Sequence, residues 1–122
     1  GTATPDRVQK VWQACLAELD SKILAGHFHN TYGMAIANIY QSLQQGIRVF
    51  DSSLAGLGGC PYAKGSSGNV ATEDLYYLLS HIGYETGINL EKLMLASQNI
   101  NQTLNRKNLS NYANTYLQQS CA

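Results

Sequence analysis

The apolar residues of the N-terminal segment recur every three or four positions, which is the period of one face of an α-helix. The segment opens with Thr4, Pro5 and Asp6. These residues are typical of a helix start: a hydroxyl cap, a proline in the first turn and an acid near the positive end of the helix dipole. We therefore predict an amphipathic helix with one buried stripe, formed by Val8, Val11, Trp12, Cys15, Leu16 and Leu19.

Two short apolar runs further along the chain predict strands. The first covers residues 23–29 and the second covers residues 47–50, with a helix predicted between them over residues 33–45 and closed by Gly46. A glycine-rich loop follows the second run. We expect Thr72 to cap the next helix, and the helical patterns after the loop cover residues 72–83, 90–105 and 109–119.

This order of elements is that of a parallel α/β fold, and the polar candidates described below follow the strand ends, as on the active face of a barrel. Two strands cannot close a barrel, which needs eight strands and roughly 250 residues. We therefore predict an α/β chain that is the C-terminal part of a (β/α)8 TIM barrel. Residues 1–89 would hold the last two strands with their helices, and residues 90–122 a C-terminal helical extension.

The composition is that of an ordinary globular domain, with 122 residues, 44% of them hydrophobic, and eight basic side chains balanced by eight acidic ones. The basic residues are scattered, so we expect no nucleic-acid partner. No apolar run approaches the roughly 18 residues of a membrane span. Three cysteines without a paired framework favour a reducing compartment. Because the chain begins with Gly1, a targeting segment cannot be read from it.

One cysteine lies in the glycine-rich loop after the second predicted strand. Cys60 follows Gly58 and Gly59 and precedes Pro61. Glycines can adopt positive φ angles and let a substrate come close to the backbone, while the proline stiffens the loop. Such a cysteine is either a reactive side chain near a strand end or a small buried residue in an ordinary loop.

Two histidines and one asparagine are candidate metal ligands. His27 and His29 lie two residues apart on the first predicted strand, so their side chains point to one face. Imidazole is a common metal ligand, and Asn69 offers an amide oxygen of the kind that hard cations accept. The histidine pair alone fits a metal site and a pair of hydrogen-bonded core histidines about equally well.

Together these residues resemble the 3-hydroxy-3-methylglutaryl-CoA lyase family. The family's active-site signature is Ser, an aliphatic residue, Ala, Gly, Leu or Gly, then Gly-Gly-Cys-Pro followed by Tyr or Phe, and residues 53–62 fit it throughout. The resemblance continues through residues 27–33, 51–53, 68–74, 86–90 and 105–107. It therefore covers about residues 1–107 of the chain.

The resemblance implies a lyase that cleaves 3-hydroxy-3-methylglutaryl-CoA to acetoacetate and acetyl-CoA, as in leucine degradation and ketone-body formation. It implies His27, His29 and Asn69 as ligands of a divalent cation, magnesium or manganese, and Cys60 as the catalytic cysteine. The expected partner is an acyl-CoA substrate, without nucleic acid or membrane, and the full-length parent is expected to be a homo-oligomer. The expected compartment is the cytoplasm, or the mitochondrial matrix if the source is eukaryotic.

Two acidic residues are candidates for supporting roles. Asp51 follows the second predicted strand, where it either orients a ligand histidine through a hydrogen bond or caps the loop. Glu73 lies in the first turn of a predicted helix, where it either supports the active site or stabilises the helix dipole.

The family also carries a motif that this sequence lacks. Its members have an Arg-Asp pair at the end of the first barrel strand, in which Asp binds the metal and Arg stabilises the enolate. Three neutral ligands without that carboxylate should bind a hard cation poorly, so we expect the chain alone to be inactive. Three interpretations stay open: a segment of an active lyase, an inactive truncated remnant, or a related metal-dependent acyl-CoA synthase, which leaves Gly-Gly-Cys-Pro-Tyr unexplained.

Overall fold

The computed structural model describes residues 1–59 and 67–119 of the chain. Within these ranges the helices are α1 (Pro5–Leu16), α2 (Ala35–Gln44), α3 (Thr72–His81), α4 (Leu90–Thr103) and α5 (Asn111–Gln119). The strands are β1 (Ala25–Gly26) and β2 (Val49–Phe50), and two 3-10 turns cover Ser21–Ile23 and Leu54–Gly56. None of the helices in the described ranges is both long and apolar enough to cross a membrane.

The two strands are parallel neighbours, in the order that the sequence predicts. Ala25 lies opposite Val49, and Gly26 lies opposite Phe50. Residues 67–71 add an extended segment that the apolar pattern does not predict. Single bridges join this segment to His29, in antiparallel orientation, and to Ser53, in parallel orientation. The segment therefore connects the ends of both strands.

Both strands are shorter than the apolar runs that predict them. Residues 21–23 form a 3-10 turn, because the Asp20 carboxylate accepts a hydrogen bond from Lys22 N at 2.9 Å. Ile23 was predicted as the first strand residue, and its side chain is instead 71% exposed. At the other end of the run, His29 pairs with Asn69 rather than extending the ladder with β2.

Side chains outside the helices decide where two of the helices begin. The first turn of α2 starts at Ala35, because the Asn30 amide oxygen accepts a hydrogen bond from Ala35 N at 3.2 Å. The prediction that Thr72 caps α3 is wrong, since Ala71 occupies the capping position. Thr72 Oγ1 is instead hydrogen-bonded to Ser52 Oγ at 2.8 Å, which ties the start of α3 to the end of β2.

One carboxylate attaches the last helix to α3. Asp74 Oδ1 accepts hydrogen bonds from Ser110 Oγ at 2.7 Å and from Tyr112 N at 2.9 Å. Ser110 Oγ in turn accepts a hydrogen bond from Ala113 N at 3.0 Å. These bonds satisfy backbone donors of the first turn of α5. The bonds to Asp74 join a residue before position 89 to residues after it. The division into residues 1–89 and 90–122 stays a prediction.

The stripe predicted for α1 is only partly buried. Val8 and Trp12 are buried, and Trp12 Nε1 donates a hydrogen bond to Ser42 Oγ of α2 at 2.7 Å. Val11 and Leu19 were predicted in the same stripe but are 58% and 46% exposed. Leu19 lies beyond the end of α1, which explains why it leaves the helical stripe.

The helices cover one face of the β1–β2 pair. The buried core on this side has two clusters, one formed by Ala35, Ile39, Leu43, Val70 and Leu75 and the other by Val8, Trp12 and Ile47. Phe28 and Phe50 pack against both clusters. The opposite face, which holds the candidate ligands, is not covered by these helices.

Candidate metal-binding site

His27 lies directly after β1, beside the residue that follows β2. Its Nδ1 is 2.6 Å from Asp51 Oδ1, as expected when the parallel register is continued by one residue. Side chains of both residues are more than half exposed. A neutral imidazole that donates through Nδ1 keeps its Nε2 lone pair for a ligand. Asp51 thus contacts the candidate ligand His27, and its orienting role stays a prediction.

His29 and Asn69 form a close antiparallel pair. Asn30 N donates to Gly68 O at 2.7 Å, and Val70 N donates to Phe28 O at 3.1 Å. These bonds flank the pair, so His29 and Asn69 do not bond to each other through the backbone. In this type of pair the Cα atoms are only about 4.5 Å apart and the side chains share one face. The imidazole and the amide are therefore neighbours.

The rings of His27 and His29 complete the group. Their centroids are 5.1 Å apart, with an angle of 57° between the ring planes. Burial lowers the pKa of His29, and the neighbouring His27 lowers it further, while Asp51 acts in the opposite direction. The neutral form, which is the form that binds metals, is therefore favoured at His29.

Asn69 also contacts the beginning of the glycine-rich loop. Its Nδ2 donates a hydrogen bond to Leu57 O at 3.0 Å, so Oδ1 is the atom that can serve as a ligand. Gly58 has a φ of +104°, and a β-carbon at this position would lie 2.6 Å from Asn69 Nδ2. Glycine is required here both by the backbone conformation and by the close approach of the amide.

Glu73 is hydrogen-bonded to the backbone just before the same loop. Its side chain is fully buried, and both carboxylate oxygens lie 3.0 Å from Ala55 N. Ala55 has a φ of +55°, an uncommon conformation for a residue with a β-carbon. Glu73 therefore has a hydrogen-bond partner within residues 53–62, and it also lies in the first turn of α3.

The catalytic candidate Cys60 lies outside the described residues. The two sides of the loop that carries it come together at an antiparallel bridge between Gly59 and Ser67, two residues before Asn69. Across residues 1–59 and 67–119, no group of three His, Cys, Asp or Glu side chains could hold a metal ion. His27, His29 and Asn69, the ligands that the family resemblance implies, therefore stay the candidate set among the described residues.

Sequence reasoning did not anticipate the hydrogen-bonding roles of Asn30 and Leu57. Asn30 fixes the start of α2 just after the ligand pair, and Leu57 supplies the carbonyl that holds Asn69. Asn30 lies five residues before Ala35, outside the capping position held by Met34, so the local pattern gave no signal for this bond. A backbone carbonyl leaves no signal in the sequence.

Comparison with known proteins gives the family. The sequence profile of the family described as HMGL-like matches residues 1–100. The chain belongs to the HMGL-like family. It is 52% identical over 110 residues to the hydroxymethylglutaryl-CoA lyase of Pseudomonas mevalonii, covering 90% of this chain and 36% of that protein. It is 53% identical over 113 residues to the mitochondrial hydroxymethylglutaryl-CoA lyase of Rattus norvegicus, covering 93% and 35%.

Solved structures of the HMGL-like family agree with the fold. The crystal structure of hydroxymethylglutaryl-CoA lyase from Pseudomonas aeruginosa matches 98% of this chain and 40% of its own, with a TM-score of 0.95 and 49% identity. An HMG-CoA lyase from Acinetobacter baumannii, in complex with coenzyme A and 3-methylmalate, matches 93% and 37%, with a TM-score of 0.86 and 38% identity. The predicted fold class, a part of a (β/α)8 barrel, is confirmed. The chain spans less than half the length of these relatives.

Proposed function

We propose that this chain supplies the metal-binding and glycine-loop part of a lyase that cleaves 3-hydroxy-3-methylglutaryl-CoA to acetoacetate and acetyl-CoA. The observation that carries the proposal is the grouping of His27, His29 and Asn69 on one face at the strand ends. The relatives named above are lyases of this type, which favours the same reaction over that of a synthase.

The donor set fits a divalent cation such as magnesium or manganese. His27 offers Nε2 because Nδ1 faces Asp51, and Asn69 offers Oδ1 because Nδ2 is bound to Leu57 O. Burial lowers the pKa of His29, which favours its neutral form. A bound cation would act as a Lewis acid for negative charge developing on the substrate's oxygen atoms. A carboxylate from outside the described residues would complete such a site.

The residues of this chain have separate roles in the proposed reaction. A base removes the proton from the 3-hydroxyl group, the carbon–carbon bond breaks, and its electron pair remains on the acetyl-CoA carbon. Cys60 then donates the proton that this carbon needs, since a thiol with a pKa of about 8.5 is protonated near neutral pH yet releases its proton readily. Asp51 orients His27, while Glu73 holds the turn that leads to Cys60.

The remaining assignments follow from the same proposal. The acyl-CoA thioester is the partner, the complete enzyme is a homo-oligomer, and the compartment is the cytoplasm or the mitochondrial matrix. The 122-residue chain alone is inactive, because the carboxylate and the arginine of the family's first strand are absent and the enolate would not be stabilised.

A chimeric enzyme tests the proposal. We define the joined barrel as this chain fused to the part of the Pseudomonas aeruginosa lyase that it does not match. The joined barrel should release acetoacetate from 3-hydroxy-3-methylglutaryl-CoA when magnesium is added, and the isolated chain should not. A folded joined barrel without activity, beside an active parent lyase, would mean that this chain is an inactive remnant.

A further inference from the structure

The glycine-rich loop begins with a turn at Leu54–Gly56 that has an uncommon backbone conformation. The φ angles of Ala55 and Gly56 are +55° and +65°. A positive φ is unfavourable for a residue with a β-carbon, so Ala55 keeps it only where the surrounding structure holds the residue in place. The turn therefore depends on contacts from other parts of the chain.

Both backbone polar groups of Ala55 are bound from outside the loop. Ala55 N donates to the Glu73 carboxylate at 3.0 Å, and Ala55 O accepts a longer hydrogen bond from Leu109 N at 3.4 Å. Leu109 also lies close to the next residue of the turn, since a β-carbon at Gly56 would be 3.1 Å from Leu109 Cβ. The first turn of α3 thus holds one side of the loop turn, and a residue between α4 and α5 holds the other.

Residues 108–110, which we call the C-terminal link, are attached to the same turn of α3 that carries Glu73. Asp74 Oδ1 accepts hydrogen bonds from Ser110 Oγ at 2.7 Å and from Tyr112 N at 2.9 Å. Ser110 is fully buried, so water cannot replace the bond that its hydroxyl group makes. Two adjacent acids of α3 therefore support the loop turn, Glu73 directly and Asp74 through the C-terminal link.

A second contact fixes the start of the C-terminal link. Asn108 Nδ2 donates a hydrogen bond to Ser97 Oγ of α4 at 2.7 Å, and Asn108 Oδ1 accepts one from Ser110 N at 2.8 Å. Ser97 is fully buried as well. Leu109 lies between these two anchored residues. The position of its N–H group, and with it the long bond to Ala55 O, is therefore set by the residues on either side.

We propose that Asp74 and Ser110 are positioning residues of the glycine-rich loop. Together they hold Leu109 against Ala55, and this contact keeps the loop turn in its strained conformation. This role rests on the proposed function and deepens it, because it makes residues of the predicted C-terminal helical extension part of the support of the candidate site.

The loop turn affects the site through the residue that follows it. Leu57 comes directly after Gly56, and its carbonyl group accepts the 3.0 Å hydrogen bond from Asn69 Nδ2. When the turn loosens, this carbonyl shifts and the Asn69 amide loses its fixed orientation. The loop also continues from here to Cys60, so the same change would displace the proposed proton donor. A displacement of about 1 Å in reacting groups can lower a rate on the order of 100-fold.

Steady-state kinetics of the joined barrel test this role. Ser110→Ala and Asp74→Ala should each lower kcat about 5- to 30-fold and change KM less than about threefold, because the loop acts on the reacting groups rather than on substrate binding. Asp74→Asn keeps an oxygen acceptor for the Ser110 hydroxyl, so its kcat should stay within about threefold of the parent value. Thr115→Ala is the matched control, because it removes a 3.1 Å hydrogen bond within α5, outside the C-terminal link. It should change kcat less than about twofold.

Amide hydrogen exchange gives a readout that does not depend on activity. The N–H groups of Gly56 and Leu57 are hydrogen-bonded within the loop turn, and their exchange should be at least about fivefold faster in Ser110→Ala. If Ser110→Ala and Thr115→Ala have the same effect on this exchange, or if faster exchange leaves kcat at the parent value, the proposal is overturned. Faster exchange in a joined barrel that is inactive even without substitutions would refute the proposed function and support the positioning of the loop.

Discussion

Gly58→Ala is expected to weaken cation binding through its effect on Asn69. A β-carbon at residue 58 would lie 2.6 Å from Asn69 Nδ2, whereas optimal contacts between such heavy atoms are about 3.5–4.0 Å. Either the amide or the loop must move. Both movements break the 3.0 Å hydrogen bond from Asn69 Nδ2 to Leu57 O, which holds Oδ1 in place.

The size of the effect follows from two contributions. Alanine at a φ of +104° adds backbone strain, and together with the loss of one hydrogen bond this costs about 2–3 kcal/mol. Without a cation, Asn69 can swing aside and relieve the clash at the cost of the hydrogen bond, while the backbone strain remains in both states. Cation binding requires the amide to return, so the affinity should fall by the hydrogen-bond contribution alone, about 10-fold.

The assay is a manganese titration of the joined barrel, followed by the electron paramagnetic resonance signal of free Mn²⁺. Two glycine variants are controls. Gly59→Ala places a β-carbon with no described atom within 4 Å, and Gly83→Ala adds strain at a φ of +87° with equally open surroundings. Both should bind manganese like the parent protein. If Gly58→Ala also does so, Asn69 Oδ1 is not a ligand held by the loop.

Three further predictions concern the joined barrel and this chain's packing. His27→Ala or His29→Ala should lower divalent-cation affinity about 10- to 100-fold. Excess manganese should partly restore binding, because manganese accepts nitrogen ligands better than magnesium does. Unchanged titration curves would mean that both histidines are hydrogen-bonded core residues rather than ligands. Cys60→Ser should cut turnover by at least about 100-fold with little change in substrate binding, and parent-level turnover would remove Cys60 from the mechanism. Asp74→Ala leaves the Ser110 hydroxyl and a backbone donor of α5 without their acceptor. The loss should destabilise α5 by about 1–3 kcal/mol. Amide exchange in α5 is measured with α1 as the control, and unchanged exchange in α5 would contradict the prediction.

The element order could be predicted because helical periodicity and strand length are local signals. Each predicted helix is present, with ends displaced by a few residues where a distant side chain intervenes. Asp74, for example, lies 36 residues before the Ser110 hydroxyl that it binds, and no local pattern indicates that contact. The extended segment at residues 67–71 was missed for the same reason, since its pairing partners His29 and Ser53 are supplied by tertiary structure.

The candidate site was predictable to the extent that it follows from strand geometry. Residues two apart on a strand share a face, and the rings of His27 and His29 are indeed 5.1 Å apart. The proximity of Asn69 depends on the 67–71 pairing, so only the family resemblance indicated it. The contact of Glu73 with Ala55 N could not be anticipated, because the helix dipole already accounts for an acid at that position. The ligand and catalytic roles themselves remain predictions.

The Asn69 side chain has one donor, bound to Leu57 O, and one acceptor on its other side, and this pair of groups limits which side chain position 69 can accept. An aspartate would attract a hard cation more strongly, but it has no N–H to offer Leu57 O. It would instead place a negatively charged oxygen about 3 Å from a carbonyl oxygen, where the two repel each other. An asparagine side chain provides one donor and one acceptor at the same reach, so a single uncharged group can face the loop and the cation at once. In the proposed site, asparagine at position 69 would thus favour attachment of the loop over electrostatic attraction of the cation, and anionic ligands would come from other parts of the barrel.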